Sequence, residues 1–206
     1  MPEARKLAEV RRILDRYLVE VVERYELCPW ARSARGNDEI AVEVVLGEPS
    51  LDAWIDAAKR ALARPGTRVA MVVAPELVIE RQELHEVRDR VSKATGAGVA
   101  EFHPDAPLDL VTPARLVPFL RRSPDPMLQL VPMALLVAMR GPQPNRMHQA
   151  QILGGHMAPP RDVGDAIAAA NHARVSLEHA AIEATLAAIA EDRRTAYVNV
   201  GLSECR

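Results

Sequence analysis

From Ile40 to His103 the chain alternates between two hydrophobic rhythms, and that alternation limits the folds open to it. Ile40 to Leu46 reads as a strand, followed by a Gly47-Glu48-Pro49-Ser50 turn. Ser50 is a good N-cap for a helix through Ala63 that carries Leu51, Trp54, Ile55, Ala58 and Leu62 on one face. Pro65-Gly66 breaks that helix. Arg68 to Ala74 is almost wholly apolar, as expected of a strand covered on both faces. The next helix runs from about Leu77 to Ala94 with Leu84, Val87 and Val91 inward, and Gly96 and Gly98 close it before a third strand, Val99 to His103. The order β-α-β-α-β with right-handed crossovers makes these strands parallel. Open parallel sheets bind ligands beyond the carboxyl ends of their strands. Here those ends are Gly47-Glu48, Ala74-Pro75-Glu76 and His103-Pro104-Asp105.

The flanks are helical. Leu7, Val10, Leu14, Tyr17, Leu18, Val21 and Tyr25 repeat at helical spacing, so residues 4 to 25 read as one helix. Pro29 ends it, and Ser33 to Asp38 reads as a polar turn. Residues 105 to 125 are proline-rich, with one short helix near Pro113 to Leu120. Asp125-Pro126 has the form of a helix start, an Asx cap with proline at the first helical position. Met127 to Met139 is expected to continue it, with a kink or restart at Pro132. Gly141 to Pro160 has no periodicity and reads as a lid or a disordered loop. Residues 162 to 192 read as one long helix, and Ala196 to Val200 as an edge strand. The expected fold is α/β, a three-layer or two-layer βαβαβ arrangement whose small, mostly parallel sheet is flanked by helices, with a long C-terminal helix. Residues 1–140 form the α/β domain, and residues 141–206 are a loop plus a long helix packed on the same domain.

Length and composition set the outer limits. The 206 residues suit one domain with an appended element. With aromatics at only 3%, aliphatic side chains and alanine must fill the core. A formal net charge of -2 leaves no basic footprint for nucleic acid and no strong attraction to an anionic membrane. No apolar run reaches the roughly 20 residues that a spanning helix needs. The N-terminus lacks the apolar core of a signal peptide, which points to the cytoplasm. The basic residues are nearly all arginine, the lysines being Lys6, Lys59 and Lys93, which together with the many alanines fits a GC-rich bacterial genome. Two cysteines make no disulfide framework. Cys205 is next to last, in a tail expected to fray, which leaves Cys28 as a free thiol in a reducing compartment.

Three short islands carry the chemistry. They are Leu27-Cys28-Pro29-Trp30-Ala31, Phe102-His103-Pro104, and Arg122-Ser123-Pro124-Asp125-Pro126-Met127-Leu128. Cys28 and His103 each precede a proline, which restricts their backbones where a site needs rigidity. In this order and spacing the islands resemble the uncharacterised bacterial family DUF1415, over roughly residues 8 to 140. The chain departs from that pattern at Gln129, where the family usually has His, and at Val131-Pro132, where it usually has Arg-Glu. It departs again at Pro118 to Arg121, and in its tail, residues 141 to 206. The resemblance implies an α/β domain and supplies no reaction.

Within the islands, Cys28 is the candidate nucleophile. Because it follows a helix C-terminus, which disfavours a thiolate, His103, Arg122 or Arg32 must supply compensation. The plain alternative is a buried cysteine acting as a small hydrophobe. His103 suits general acid-base work, with Asp105 placed to orient it; the alternative is a histidine that holds a strand end by hydrogen bonds. Arg122 and Ser123, beside the expected helix start at Asp125, suit an anionic group, unless Arg122 only braces the proline-rich loop. The catalytic candidates are therefore Cys28, His103 and Arg122, and the substrate-binding candidates Arg32, Asp105, Ser123 and Asp125. No metal site is assigned.

Three readings of function follow. One is a small cytoplasmic thiol-dependent enzyme acting on an anionic small molecule, with the thiol, imidazole and guanidinium gathered at one mouth of the sheet. The second is a metal- or haem-binding protein without turnover, using Cys28 or the His172, Ser176, His179 and Glu183 face of the last helix. His172 and His179 stand two turns apart, roughly 10 Å of rise, which is far for one ion. The third is a non-catalytic interaction module whose last helix, with Val175, Ile182 and Leu186 as an apolar stripe, pairs with a partner or a second copy. The residues name no cofactor.

Overall fold

The computed structural model describes residues 2–140 and 163–202. Its centre is a four-stranded mixed sheet in the order β1-β2-β4-β3. Strand β1 (Ile40–Val44) pairs parallel with β2 (Val69–Val73), Ile40 opposite Val69. Strand β4 (Met127–Val131) lies antiparallel between β2 and β3 (Gly98–Phe102), so that Gln129 stands opposite both Met71 and Ala100. The α/β class stands, with flanking helices and the long C-terminal helix. Strands β1, β2 and β3 run in one direction as expected, but only one of the three pairings is parallel.

The fourth strand corrects the expected helix over Met127 to Met139. A segment that can hydrogen-bond to neighbours on both sides and bury side chains on both faces gains more as a central strand than as a surface helix. Met127, Leu128 and Leu130 are all sealed from solvent. Pro132 then restarts the chain as a helix, α6 (Met133–Arg140; the helices before it are defined below), whose Leu136 sits where a Gly98 side chain would have to go. Asp125-Pro126 is not a helix start. The Pro126 carbonyl accepts from the Ala74 amide at 3.0 Å, which extends the β2–β4 ladder.

Two helical layers cover the sheet. On one face lie α3 (Leu51–Ala63) and α4 (Arg81–Thr95). Ser50 caps α3 by accepting from the Ala53 amide at 3.3 Å, as its sequence position requires. Ala57, Ala58 and Ala61 let α3 lie close on Ala41 and Ala70, with Trp54 filling the remaining space. Helix α4 starts later than its hydrophobic pattern suggests, where Glu83 reaches back to the Glu80 amide.

The other face is covered by α1 (Pro2–Tyr17), by α5 (Pro113–Leu120) and by the C-terminal helix α7 (Val163–Val200). Val175, Ile182, Ile189 and Ala196 form the buried stripe of α7, at seven-residue intervals. Each of the larger three contributes about 1.5–3 kcal/mol by burial. The apolar stripe read as a partner surface is thus covered by the chain's own core. The edge strand expected at Ala196 to Val200 is the last turn of α7 instead. Gly201, at φ 73°, ends it, with Gly201 N–H bonded to the Val198 carbonyl and Leu202 N–H to the Tyr197 carbonyl. The loop of residues 141 to 160, with His148 and His156, and Cys205 lie outside the described residues. No helix among the described residues is long and apolar enough to cross a membrane.

Candidate functional site

The first helix does not run unbroken to Tyr25. After Tyr17 it widens into a π-helix, Leu18–Glu23, in which Arg24 N–H reaches the Val19 carbonyl and Leu27 N–H the Val22 carbonyl. The chain then reverses through Glu26, a non-glycine residue at φ 48°, a conformation that costs energy and must be held by its surroundings. The holding groups are visible. Buried Glu23 is gripped by Arg35 at 2.6 and 3.1 Å, and α2 (Ala31–Gly36) supplies that arginine from a stretch whose sequence reads as a turn. On the far side, Asn171 of α7 donates to the Leu27 carbonyl at 3.0 Å.

This scaffold turns Cys28 toward the sheet. The thiol is half-buried, outside any disulfide, and lines a cavity of about 290 Å³ between the Cys28 loop and the exposed part of the sheet face. Leu18, Val22, Met71, Phe102 and Met127 make its walls apolar, and Trp30 stands at its rim, 42% exposed. Three further polar side chains line it, those of Tyr17, Gln129 and Arg121. Tyr17 is 1% exposed, and its hydroxyl has no hydrogen-bond partner among the described residues. Burial, and to a lesser degree the neighbouring Cys28, push the Tyr17 hydroxyl well above its ordinary range, so it stays protonated. Gln129 projects from the middle of β4 into the same space, also without a partner among the described residues. Arg121 completes the lining, with its guanidinium 3.5 Å from Glu101. The cavity lies over the face of the sheet, not beyond the carboxyl ends of its strands.

His103 does sit at a carboxyl end, that of β3, and is 8% exposed. Its Nδ1 accepts from the Asp105 amide at 3.0 Å. That fixes the tautomer, and Nε2–H donates to the Ile79 carbonyl at 2.8 Å. Both ring nitrogens are engaged, so the imidazole ties β3 to the loop before α4, the hydrogen-bonding alternative weighed from sequence. The Asp105 backbone orients the ring, while its carboxylate is exposed. His103 borders two other cavities, of about 440 and 450 Å³, and Cys28 lines neither.

The remaining candidates lie apart from the thiol. Arg122 donates to the Ala106 carbonyl at 2.6 Å and to Glu183 at 3.1 Å, with its guanidinium 4.7 Å from the Phe119 ring centre. It braces the loop after β3 against α7. Ser123 donates to the Asp125 carbonyl at 2.6 Å. The Asp125 carboxylate is buried and accepts from Arg193 Nε and Tyr197 Oη, each at 2.7 Å, so it anchors α7 rather than capping a helix. Arg32 is mostly exposed and approaches Glu23 at 3.8 Å. The expected gathering of Cys28, His103 and Arg122 at one mouth is not formed. In the face read as metal-binding, His172 Nε2 is bonded to the Leu110 carbonyl at 2.8 Å and Glu183 to Arg122. Among the described residues no three His, Cys, Asp or Glu side chains lie close enough to share a metal ion.

Tyr17, Gln129 and Arg121 were not legible as site residues. Tyr17 has the spacing of a core residue on an amphipathic helix. Gln129 stands out in sequence only as a departure from the family pattern and as the only polar residue in the strand Met-Leu-Gln-Leu-Val. No protein-family model, curated protein or solved structure gives a significant match to the chain.

Proposed function

We propose that this protein binds a small, largely apolar molecule in the Cys28 cavity, and that its role depends on the Cys28 thiol. The observation that carries this reading is the pair of polar groups, the Tyr17 hydroxyl and the Gln129 amide, without partners among the described residues in a space whose walls are otherwise mostly apolar. The Tyr17 side chain is 1% exposed and lines the cavity, and ligand sites combine apolar walls with a few convergent polar groups in this way. An anionic substrate held by Arg122 is less well supported, because that guanidinium is already spent on Ala106 and Glu183. The polar end of the ligand is better met by the Tyr17 hydroxyl and the Gln129 amide. With His103 committed through both nitrogens, the thiol works without it. Assignment to the DUF1415 family belongs to the same proposal, on the three islands.

The test uses 2-hexanone, a probe with an apolar tail and one carbonyl acceptor. Its binding is expected to slow iodoacetamide alkylation of Cys28, followed by peptide-resolved mass spectrometry, while Cys205 is unaffected. It is also expected to shift the emission of rim residue Trp30, with buried Trp54 as the internal constant. Unchanged alkylation of Cys28 at millimolar probe, with unchanged emission, would refute the reading.

A further inference from the structure

We propose that the Cys28 cavity captures small α,β-unsaturated carbonyl compounds by conjugate addition, with Tyr17 and Gln129 donating hydrogen bonds to the carbonyl oxygen. This rests on the binding reading above and names the chemistry of the ligand. Three features converge on it. The nucleophile is a thiol, the softest one available to a protein, and it opens onto an aliphatic space that suits an alkyl tail. The cavity of about 290 Å³ holds the volume of roughly ten waters, enough for a ligand of about six to eight heavy atoms. Two donors without an acceptor among the described residues, the phenol of a 1% exposed tyrosine and a mid-strand amide, line the same space. A carbonyl oxygen that becomes an enolate is the group such donors stabilise most as charge develops.

The step balances without a co-reactant. Cys28 gives up its proton to solvent, and the sulfur forms a bond to the β carbon. The carbon–carbon π pair moves to the α carbon and carbonyl, and the resulting enolate oxygen accepts from the Tyr17 hydroxyl and the Gln129 amide. Water then protonates the α carbon. The net change is addition of S–H across the double bond, with no leaving group and no oxidation or reduction. Tyr17 keeps its proton throughout, as its burial requires.

The experiment compares 3-hexen-2-one with iodoacetamide as reagents for the full-length protein, with adducts assigned by peptide mass spectrometry. The enone is expected to modify Cys28 at least about tenfold faster than Cys205. Tyr17→Phe is expected to slow enone addition about ten- to a hundredfold, below the loss seen in fully closed oxyanion sites. Its iodoacetamide rate should stay unchanged, because that reaction develops no carbonyl charge. Gln129→Leu is the second variant and should show the same selective loss, which keeps the test alive if Tyr17→Phe disturbs the fold. Equal enone and iodoacetamide responses in both variants would overturn the proposal. If 2-hexanone protects Cys28 yet the enone shows no preference for it, conjugate addition fails and the binding reading stands. If 2-hexanone gives no protection either, both fail.

Discussion

Asp125 is the residue whose removal most directly tests how α7 is held on the sheet. Its carboxylate is 3% exposed and accepts two bonds of 2.7 Å, from Arg193 Nε and Tyr197 Oη. Arg193 also donates to the Pro75 carbonyl at 2.8 Å and stacks 4.5 Å from the Tyr197 ring centre. Asp125→Ala removes the acceptor that part-buried Arg193 and buried Tyr197 share. Breaking a buried pair from one side costs about 3–5 kcal/mol, and the Pro75 carbonyl retains part of the Arg193 bonding, so about 3–4 kcal/mol is expected. For a chain of this size that lowers Tm by about 6–16 °C.

Asp125→Asn is expected to cost much less, about 1–2 kcal/mol. Burial pushes the Asp125 carboxyl up, against the pull of Arg193 and the Tyr197 hydroxyl. The folded environment therefore tolerates a neutral group of the same shape better than it tolerates a void. Urea unfolding followed by circular dichroism measures both, and hydrogen exchange should show protection lost first along the C-terminal half of α7. A double-mutant cycle with Arg193→Met isolates the pair. Its expected coupling is about 1–3 kcal/mol, the double variant being more stable than the two losses added. A loss below about 1 kcal/mol for Asp125→Ala, or strict additivity in the cycle, would show that α7 is held by its apolar stripe alone.

Three other predictions can be checked in parallel. Tyr17→Phe should leave the protein as stable as before or slightly more so by thermal denaturation, because the hydroxyl it removes has no partner among the described residues; a loss above about 1.5 kcal/mol would mean that the hydroxyl is bonded. Gly98→Ala should cost no more than about 1 kcal/mol in urea unfolding, since its methyl group meets only the far end of the Leu136 side chain, which can turn to another rotamer, and shortening Leu136 to Ala in the same chain should remove that cost. Acid should weaken the protein in a defined window. Hydrogen bonds from Arg12 and Arg16 hold the Asp192 carboxyl at about 2, against 3.8 unperturbed, and Arg35 likewise holds Glu23 low. The unfolded chain therefore takes up these protons first, so the stabilisation is complete above about pH 4–5 and is lost as pH falls towards 2. Asp192→Asn should flatten that slope.

The parts of the fold that show in the sequence are those set by local pattern. The Ser50 cap, the apolar runs of β1 to β3 and the buried faces of α3 and α4 each follow from residues within a few positions of one another. Met127 to Val131 fails for the opposite reason. A short apolar run has no period that separates a central strand from a buried helix, and what decides is the pair of ladders waiting on β2 and β3, far away in sequence. Ala196 to Val200 fails in the same way, because Tyr197 completes the Asp125 anchor some seventy residues distant. Among the residues of the candidate cavity, Cys28 was legible as a candidate from the proline that follows it and its aromatic neighbour. Tyr17 and Gln129 were not, since their hydrogen-bonding groups mean something only once the sheet brings them to one cavity.

The same long-range dependence explains why the cavity persists. Packed interiors tolerate few voids, and an aliphatic space of this size would ordinarily be closed by collapse of its walls. Here the walls are fixed from outside. The π-helix rotates Leu18 and Val22, Glu26 takes a strained turn, and Arg35 and Asn171 hold the loop from two other elements. From below, Gln129 is locked in place by ladders on both of its neighbours. A chain that needed only stability would relax the Glu26 turn and place an aliphatic residue at position 129, so that the loop settled onto the sheet. Strain concentrated beside a thiol, with a phenol and an amide that lack partners among the described residues, is what the proposed binding site requires. A Glu26→Gly and Gln129→Leu double variant, with the turn relaxed and the amide removed, is accordingly expected to be more stable than the parent chain in urea and to lose protection of Cys28 by 2-hexanone. Greater stability with protection intact would separate the strain from the site and defeat this account.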